Sequence, residues 1–216
     1  MARKPRAEEV PADPVPAIIA ATMQLAAEKA WSEIPLAEIA AVAGLSLIEF
    51  YRLFPSKLAI LDALARRTDA AVLAVPGDAD DPPRDQLFDV LMRRFDALLP
   101  YRAGLERIAR DLGRLQLEAL PAGLALPRSM GWMLEAAGIP AAGLRGALRV
   151  RVLGVAYLAA FRVFLEDDSA DLTRTMAALD RALRRAEPLL GLPRAAEAEA
   201  EAEAAPAEDA APQQAP

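Results

Sequence analysis

The 216-residue chain contains no cysteine and no histidine, and only 5% of its residues are aromatic. Without cysteine it forms no disulfide and offers no thiol nucleophile. Without histidine it lacks the usual imidazole base and the most common zinc ligand. Only carboxylates remain for acid–base chemistry, so we expect a protein that is not an enzyme and that holds neither a metal nor a cofactor.

Long apolar runs are also missing. The most apolar stretch, residues 150–165, is interrupted by Arg151 and Arg162 and is shorter than a membrane-spanning helix requires. The first residues carry positive charges but no apolar segment of the kind found in secretory signals. These features predict a cytoplasmic protein.

Negative charge is concentrated at the C-terminal end. The formal net charge is -6, and residues 193–216 contain six carboxylates against one basic residue, Arg194. Because this segment has no aliphatic side chain larger than alanine and no aromatic one, we expect a disordered acidic tail. Residues 1–13, with Pro5 and Pro11, are expected to form a second disordered arm.

Between these ends the sequence predicts about nine helices and no strand. Apolar residues recur at helical spacing, and prolines and glycines separate the segments. A Pro- and Asp-rich stretch over 76–83 divides an N-terminal lobe, residues 14–75, from a larger lobe, residues 84–192, and residues 114–127 stay undecided between helix and loop. The predicted helices cover residues 15–30, 36–43, 46–53, 56–74, 87–98, 105–112, 130–137, 143–166 and 172–190.

The N-terminal lobe contains the most informative motif. One short helix ends at Gly44, a residue suited to a left-handed C-terminal position, and Ser46 with Glu49 forms an S-x-x-E capping box that starts the next helix. Two short helices joined by a glycine-containing turn and packed on a longer first helix are typical of a helix-turn-helix. The second helix of such a pair enters the DNA major groove.

Residues 18–64, and above all the run FYRLFPSK at 50–57, resemble the DNA-binding domain of the TetR family. The resemblance implies an all-α, two-lobe fold with an N-terminal helix-turn-helix domain and a homodimer formed through the last two helices. It also implies a transcriptional regulator that binds a double-stranded DNA operator and responds to a small apolar ligand. Carried over onto this sequence, it places five residues at the DNA: Ser46, Leu47, Tyr51, Arg52 and Lys57.

The base-reading positions of this lobe are unusually apolar. Leu47, Ile48 and Leu53 offer no hydrogen bond to a base edge and can contact only thymine methyl groups. Residues 1–60 carry six basic against seven acidic side chains. We therefore expect DNA binding that is weak and salt-sensitive, or that depends on two lobes binding together.

Residues 147–183 resemble a second family, the ubiquinone-biosynthesis accessory proteins. The shared features are Tyr157 in a long apolar helix, a D-S-x-D turn at 168–171, and Thr175 followed by a Leu-Asp-Arg run at 179–181. This resemblance implies an alternative function, a TetR-fold protein that binds isoprenoid lipids in ubiquinone biosynthesis and does not bind DNA.

Two groups of residues in the larger lobe remain to be interpreted. Asp167, Asp168 and Asp171 lack the glycine and the final glutamate of a calcium loop, so we interpret them as a turn in which Ser169 or Asp171 caps the last helix. Bulky apolar side chains predict a pocket for a small apolar ligand or lipid, although plain core is the competing interpretation. The candidate pocket residues are Phe95, Met130, Trp132, Met133, Tyr157 and Phe161.

Overall fold

The computed structural model describes residues 13–78, 80–114 and 119–192. Within these ranges the chain is all-α and has no strand, which confirms the predicted fold class. The predicted acidic tail, and the predicted arm apart from Asp13, lie outside the described residues. The helices are α1 (Val15–Glu28), α2 (Leu36–Val42), α3 (Leu47–Leu53), α4 (Lys57–Leu73), α5 (Pro83–Leu98), α6 (Arg102–Arg114), α7 (Ala119–Ala136), α8 (Gly143–Leu165) and α9 (Thr173–Leu190).

Local signals fix the turn between α2 and α3. Gly44 has φ +72°, a left-handed conformation that glycine adopts without steric cost, so α2 ends there. The Ser46 hydroxyl accepts from the Glu49 N–H at 3.4 Å, and the Ser46 N–H donates to the Glu49 carboxylate at 2.8 Å. The predicted capping box is thereby confirmed.

Buried apolar side chains hold α2 and α3 at a fixed angle against α1 and α4. Ile39 of α2 and Phe50 of α3 are fully buried, and Leu45 and Phe54 on either side of α3 are nearly so. The rings of Phe50 and Phe54 lie 6.1 Å apart. With this face of α3 in the core, its opposite face points outward.

The N-terminal helices pack directly on the larger lobe. A Cβ atom at Gly104 of α6 would lie 2.5 Å from the Met23 carbonyl oxygen of α1, so only glycine permits this close approach. The Trp31 N–H donates to the Asp111 carboxylate of α6 at 2.8 Å. The predicted domain boundary lies between α4 and α5, and the division into separate domains stays a prediction.

The larger lobe is built on the pairing of α8 with α9, with α5 and α7 packed against them. Arg84 at the start of α5 forms ion pairs with Asp180 and Glu187 of α9. Burial would lower the pKa of Arg84, but these carboxylates and Asp85 outweigh burial and raise it. Among the described residues, no helix is both long and apolar enough to cross a bilayer.

Helix α7 is longer than the predicted segment 130–137. It begins at Ala119 and continues through Pro127, in the region that the sequence left undecided. A proline inside a helix removes one backbone hydrogen bond and crowds the preceding turn. Packing of α7 against α4 and α8 outweighs that cost here.

The turn before α9 is organised by Asp167, which is fully buried. Its carboxylate accepts from the Thr175 N–H at 2.8 Å, from the Thr175 hydroxyl at 2.7 Å and from the Ser169 N–H at 3.1 Å. The predicted N-cap was wrong, because Leu172 occupies that position with φ 54° and without a side-chain cap. Asp167 and Asp171 instead accept from N–H groups of the first turn of α9.

Replacing Asp167 by asparagine tests this arrangement. Burial alone would raise the pKa of Asp167, but the hydrogen bonds from Ser169 and Thr175 outweigh burial and lower the pKa to about 2. A carboxyl with a depressed pKa stabilises the fold above its unfolded pKa and loses that effect as the pH falls through the folded value. Asp167→Asn should therefore lower the free energy of unfolding by about 2 kcal/mol at pH 7.

The measurement is urea denaturation of wild type and Asp167→Asn at several pH values. The difference should shrink between about pH 4 and pH 2, where the wild-type carboxylate becomes protonated. Asp168→Asn is the control, since Asp168 is almost fully exposed. A constant difference across this pH range would show that the ionised carboxylate is not the stabilising group.

Candidate nucleic-acid interface and ligand cavity

The outward face of α3 presents side chains at the surface. Tyr51 is 71% exposed, and Leu47 and Ile48 are each 56% exposed. Ser46 and Arg52 are also exposed. The structure therefore brings four of the five predicted DNA-contacting residues onto one surface: Ser46, Leu47, Tyr51 and Arg52. We call these four residues and Ile48 the α3 surface. That these residues touch DNA stays a prediction.

Lys57, the fifth predicted DNA-contacting residue, is held at the start of α4. Its ammonium donates to the Trp31 carbonyl oxygen and lies 4.8 Å from the centre of the Trp31 ring. Trp31 is almost fully buried, so these contacts fix the cation beside the N-terminus of α4. Backbone N–H groups and the helix dipole make such an end suitable for a phosphate.

A cavity of about 440 Å³ lies between α4, α5, α6, α7 and α8. This volume is in the range of small-molecule sites, and most of the wall is aliphatic. Among the described lining residues, those of helix α4 are the most numerous. The described lining residues are Leu58, Leu61, Asp62, Leu64, Ala65, Arg94, Leu98, Leu105, Leu112, Ala125, Leu126, Ser129, Tyr157, Leu158 and Phe161.

The predicted pocket residues are only partly brought together. Tyr157 and Phe161 line the cavity, with ring centres 5.7 Å apart. Phe95 lies one layer further from the cavity, stacked on Tyr157 at 5.1 Å. Met130 and Met133 are fully buried in the core, and Trp132 is 54% exposed, and none of the three lines the cavity.

The polar part of the cavity wall was not predicted from the sequence. Arg94, only 5% exposed, forms an ion pair with the buried carboxylate of Asp69. The Ser129 hydroxyl donates to the other oxygen of that carboxylate at 2.6 Å. The one available signal was a charged residue, Arg94, inside the apolar stripe of a helix.

Tyr157 lies beside this ion pair. The Arg94 guanidinium carbon is 5.5 Å from the centre of the Tyr157 ring. Burial raises the pKa of Tyr157, and the positive charge of Arg94 offsets part of that increase. The phenol is therefore neutral at physiological pH.

Helix α8 carries an uncovered apolar stripe, and one of its residues, Leu158, also lines the cavity. Leu144 is 93% exposed and Val155 is 71% exposed, and Leu148 and Leu158 are also exposed. These four residues recur at the three- and four-residue spacing of one helix face.

Within the described residues, no group of three or more carboxylates is arranged to hold a metal ion.

Comparison with known proteins agrees with this geometry. Residues 18–64 match the family model of bacterial regulatory proteins of the tetR family. These residues span α1 to α3 and the first part of α4, so the chain has a TetR-type N-terminal domain. No curated protein matches the chain.

Solved structures extend the likeness to the whole fold. A TetR transcriptional regulator from Nitrosomonas europaea ATCC 19718 is 28% identical and has a TM-score of 0.64, with 81% of this chain and 98% of that chain covered. A TetR transcriptional regulator from Rhodococcus sp. RHA1 is 22% identical, with a TM-score of 0.55 and coverage of 79% and 95%. A tetR-family regulator from Streptomyces coelicolor is 18% identical, with a TM-score of 0.54 and coverage of 88% and 85%.

Proposed function

We propose that this chain, with its TetR-type N-terminal domain, is a homodimeric transcriptional regulator that binds an operator through α3 and responds to a small apolar ligand in the cavity. The observation that carries the proposal is the α3 surface. Its side chains point outward from a buried hydrophobic base, within the residues that match the regulator family. A cytoplasmic location follows from this proposal and stays a prediction.

The chemistry of the α3 surface supports different roles for its polar and apolar residues at the DNA. Tyr51 and Arg52 donate hydrogen bonds to phosphate oxygens, and Lys57 adds positive charge at the start of α4. Leu47 and Ile48 enter the major groove, where their apolar side chains favour thymine methyl groups over other base edges. Affinity then depends mainly on phosphate contacts and falls with salt.

Helix α4 supports a route from ligand to DNA. Its N-terminus holds Lys57 against Trp31 beside the α3 surface, and its first half, with Leu58, Leu61 and Ala65, forms one wall of the cavity. A ligand can fit the cavity better in one position of α4 than in another. Binding then shifts the equilibrium between two orientations of the N-terminal domain, and the size of the shift is set by the ligand's difference in affinity for them.

The uncovered stripe on α8 supports the homodimer. Four exposed apolar side chains on one face of a long helix are more than a monomer normally leaves in water. A second copy placed across a two-fold axis covers this face and presents two α3 surfaces to two half-sites.

Phosphate contact by Tyr51 can be measured directly. Genomic duplex fragments selected with the purified protein are titrated by fluorescence anisotropy at several salt concentrations. Tyr51→Phe, which removes only the hydroxyl, should weaken binding by about 5- to 10-fold, the value of one hydrogen bond. Tyr101→Phe is the matched control, because Tyr101 lies between α5 and α6, far along the chain from α3. Salt-independent binding, or an equal effect of both variants, would contradict this role.

A second candidate function is supported by one specific observation. Leu47 and Ile48 are exposed next to each other at the start of α3 and Leu53 is exposed at its end, in a lobe that carries little positive charge. This surface also suits a TetR-fold protein that binds isoprenoid lipids for ubiquinone biosynthesis, as the resemblance of residues 147–183 implies. Lipid extraction of the purified protein distinguishes the two. A co-purifying isoprenoid together with no selectable DNA fragment would favour this second function.

A further inference from the structure

We infer that the cavity binds an uncharged, mostly apolar molecule with one hydrogen-bond-accepting oxygen, and that Arg94 donates to that oxygen. The inference deepens the proposed function by naming the class of ligand. The regulatory consequence of ligand binding rests on the proposed function, whereas ligand binding itself can be measured without DNA.

The apolar body of the ligand follows from the wall of the cavity. Leucine and alanine side chains from four helices form most of it, and Phe161 and Leu158 of α8 close one side. Apolar contact area over such a wall provides most of the binding free energy of a small molecule.

The accepting oxygen follows from Arg94. A guanidinium has five N–H groups, and burying them without acceptors is costly. One nitrogen of Arg94 donates to Asp69, but its buried Nε has no acceptor among the described residues. The enclosed Nε itself is out of reach of a ligand. Arg94 lines the cavity, however, and the hydrogen bond to Asp69 uses only one of its terminal N–H groups. Buried polar groups normally have partners, so the remaining terminal N–H groups suit a ligand that supplies an acceptor.

The absence of charge on the ligand follows from the local balance of charges. Arg94 is already neutralised by Asp69, and both groups are buried. Asp62, the carboxylate among the described lining residues, pairs with Arg66 and Arg128 nearer to the surface. A ligand carboxylate would add a buried negative charge beside Asp69 and compete with it for the same cation, at a large desolvation cost. A ketone oxygen accepts the hydrogen bond and leaves the ion pair intact.

The test compares three probes of equal carbon number: methyl octyl ketone, decane and decanoate. Each displaces the uncharged dye N-phenylnaphthylamine from the full-length protein in the absence of DNA. The ketone should bind at least about tenfold more tightly than decane, because a hydrogen bond from a charged donor contributes about that much to affinity. It should also bind more tightly than decanoate. In the double variant Asp69→Asn/Arg94→Met, which removes both charges together, the ketone should lose its advantage over decane.

Arg93→Met is the matched control, since Arg93 is on the same helix but does not line the cavity, and it should keep the preference for the ketone. Equal binding of ketone and decane, tightest binding of decanoate, or no displacement of the dye by any probe would each overturn the inference. If the ketone binds as expected but leaves selected DNA fragments bound, the ligand class stands and the regulatory function fails.

Discussion

Arg94→Met alone is expected to lower the free energy of unfolding by about 3 to 5 kcal/mol, one of the two largest effects that the structure predicts. The substitution keeps most of the side-chain volume but leaves the Asp69 carboxylate buried without its cation. Among the described residues, only the Ser129 hydroxyl would still donate to that carboxylate. A buried charge without a partner is far more destabilising than the loss of an exposed ion pair.

The double variant Asp69→Asn/Arg94→Met separates lost packing from lost charge balance. It should recover most of the stability, because replacing both members of a buried ion pair by uncharged side chains is often close to neutral. Urea denaturation followed by circular dichroism provides the measurement. If single and double variants are equally unstable, the destabilisation comes from packing, and the proposed electrostatic role of the pair is wrong.

Val155→Glu is expected to convert the proposed dimer into monomers and to weaken the proposed operator binding by about 100- to 10,000-fold. The side chain of Val155 is exposed within the stripe of α8 that we assign to the dimer, so the substitution does not disturb the core of one subunit. Arg151 lies one turn away and is also exposed, so a glutamate at position 155 is compatible with the helix. In the proposed dimer, each added carboxylate would be buried against the mainly apolar α8 stripe of the other copy. Two linked α3 surfaces bind far more tightly than one, and that gain is lost in the monomer.

Sedimentation equilibrium and anisotropy titration measure the two effects on the same samples. Val75→Glu is the matched control, since Val75 is an exposed valine between α4 and α5, outside the α8 stripe. It should leave both mass and affinity unchanged. A wild-type monomer, or a Val155→Glu variant that stays dimeric, would show that α8 does not form the interface.

The fold could be predicted from the sequence wherever the determining interactions are local. Gly44, the Ser46–Glu49 capping box and the apolar spacing of α1 to α4 each involve residues within a few positions of one another. The inward face of α3, and hence its outward face, followed from the same spacing. These features were sufficient to place Tyr51 and Arg52 on the surface.

The cavity could not be predicted in the same way, because it depends on pairings between distant helices. Asp69 and Arg94 are 25 residues apart, and Asp69 and Ser129 are 60 apart. Periodicity showed that Met130 and Met133 belong to an apolar face of α7. It could not show that this face packs into the core while Ser129 meets the cavity.

The contact between Gly104 and Met23 has a mechanical consequence. Two backbones in direct contact cannot easily slide past one another, so we expect α1 and α6 to move as one rigid unit. The hydrogen bond from Trp31 to Asp111 of α6 joins the N-terminal lobe to α6 at a second point. In the proposed dimer, the tilt of this unit would set the spacing between the two DNA-reading heads, and a ligand that moves α4, which packs on α1, would act by changing that tilt.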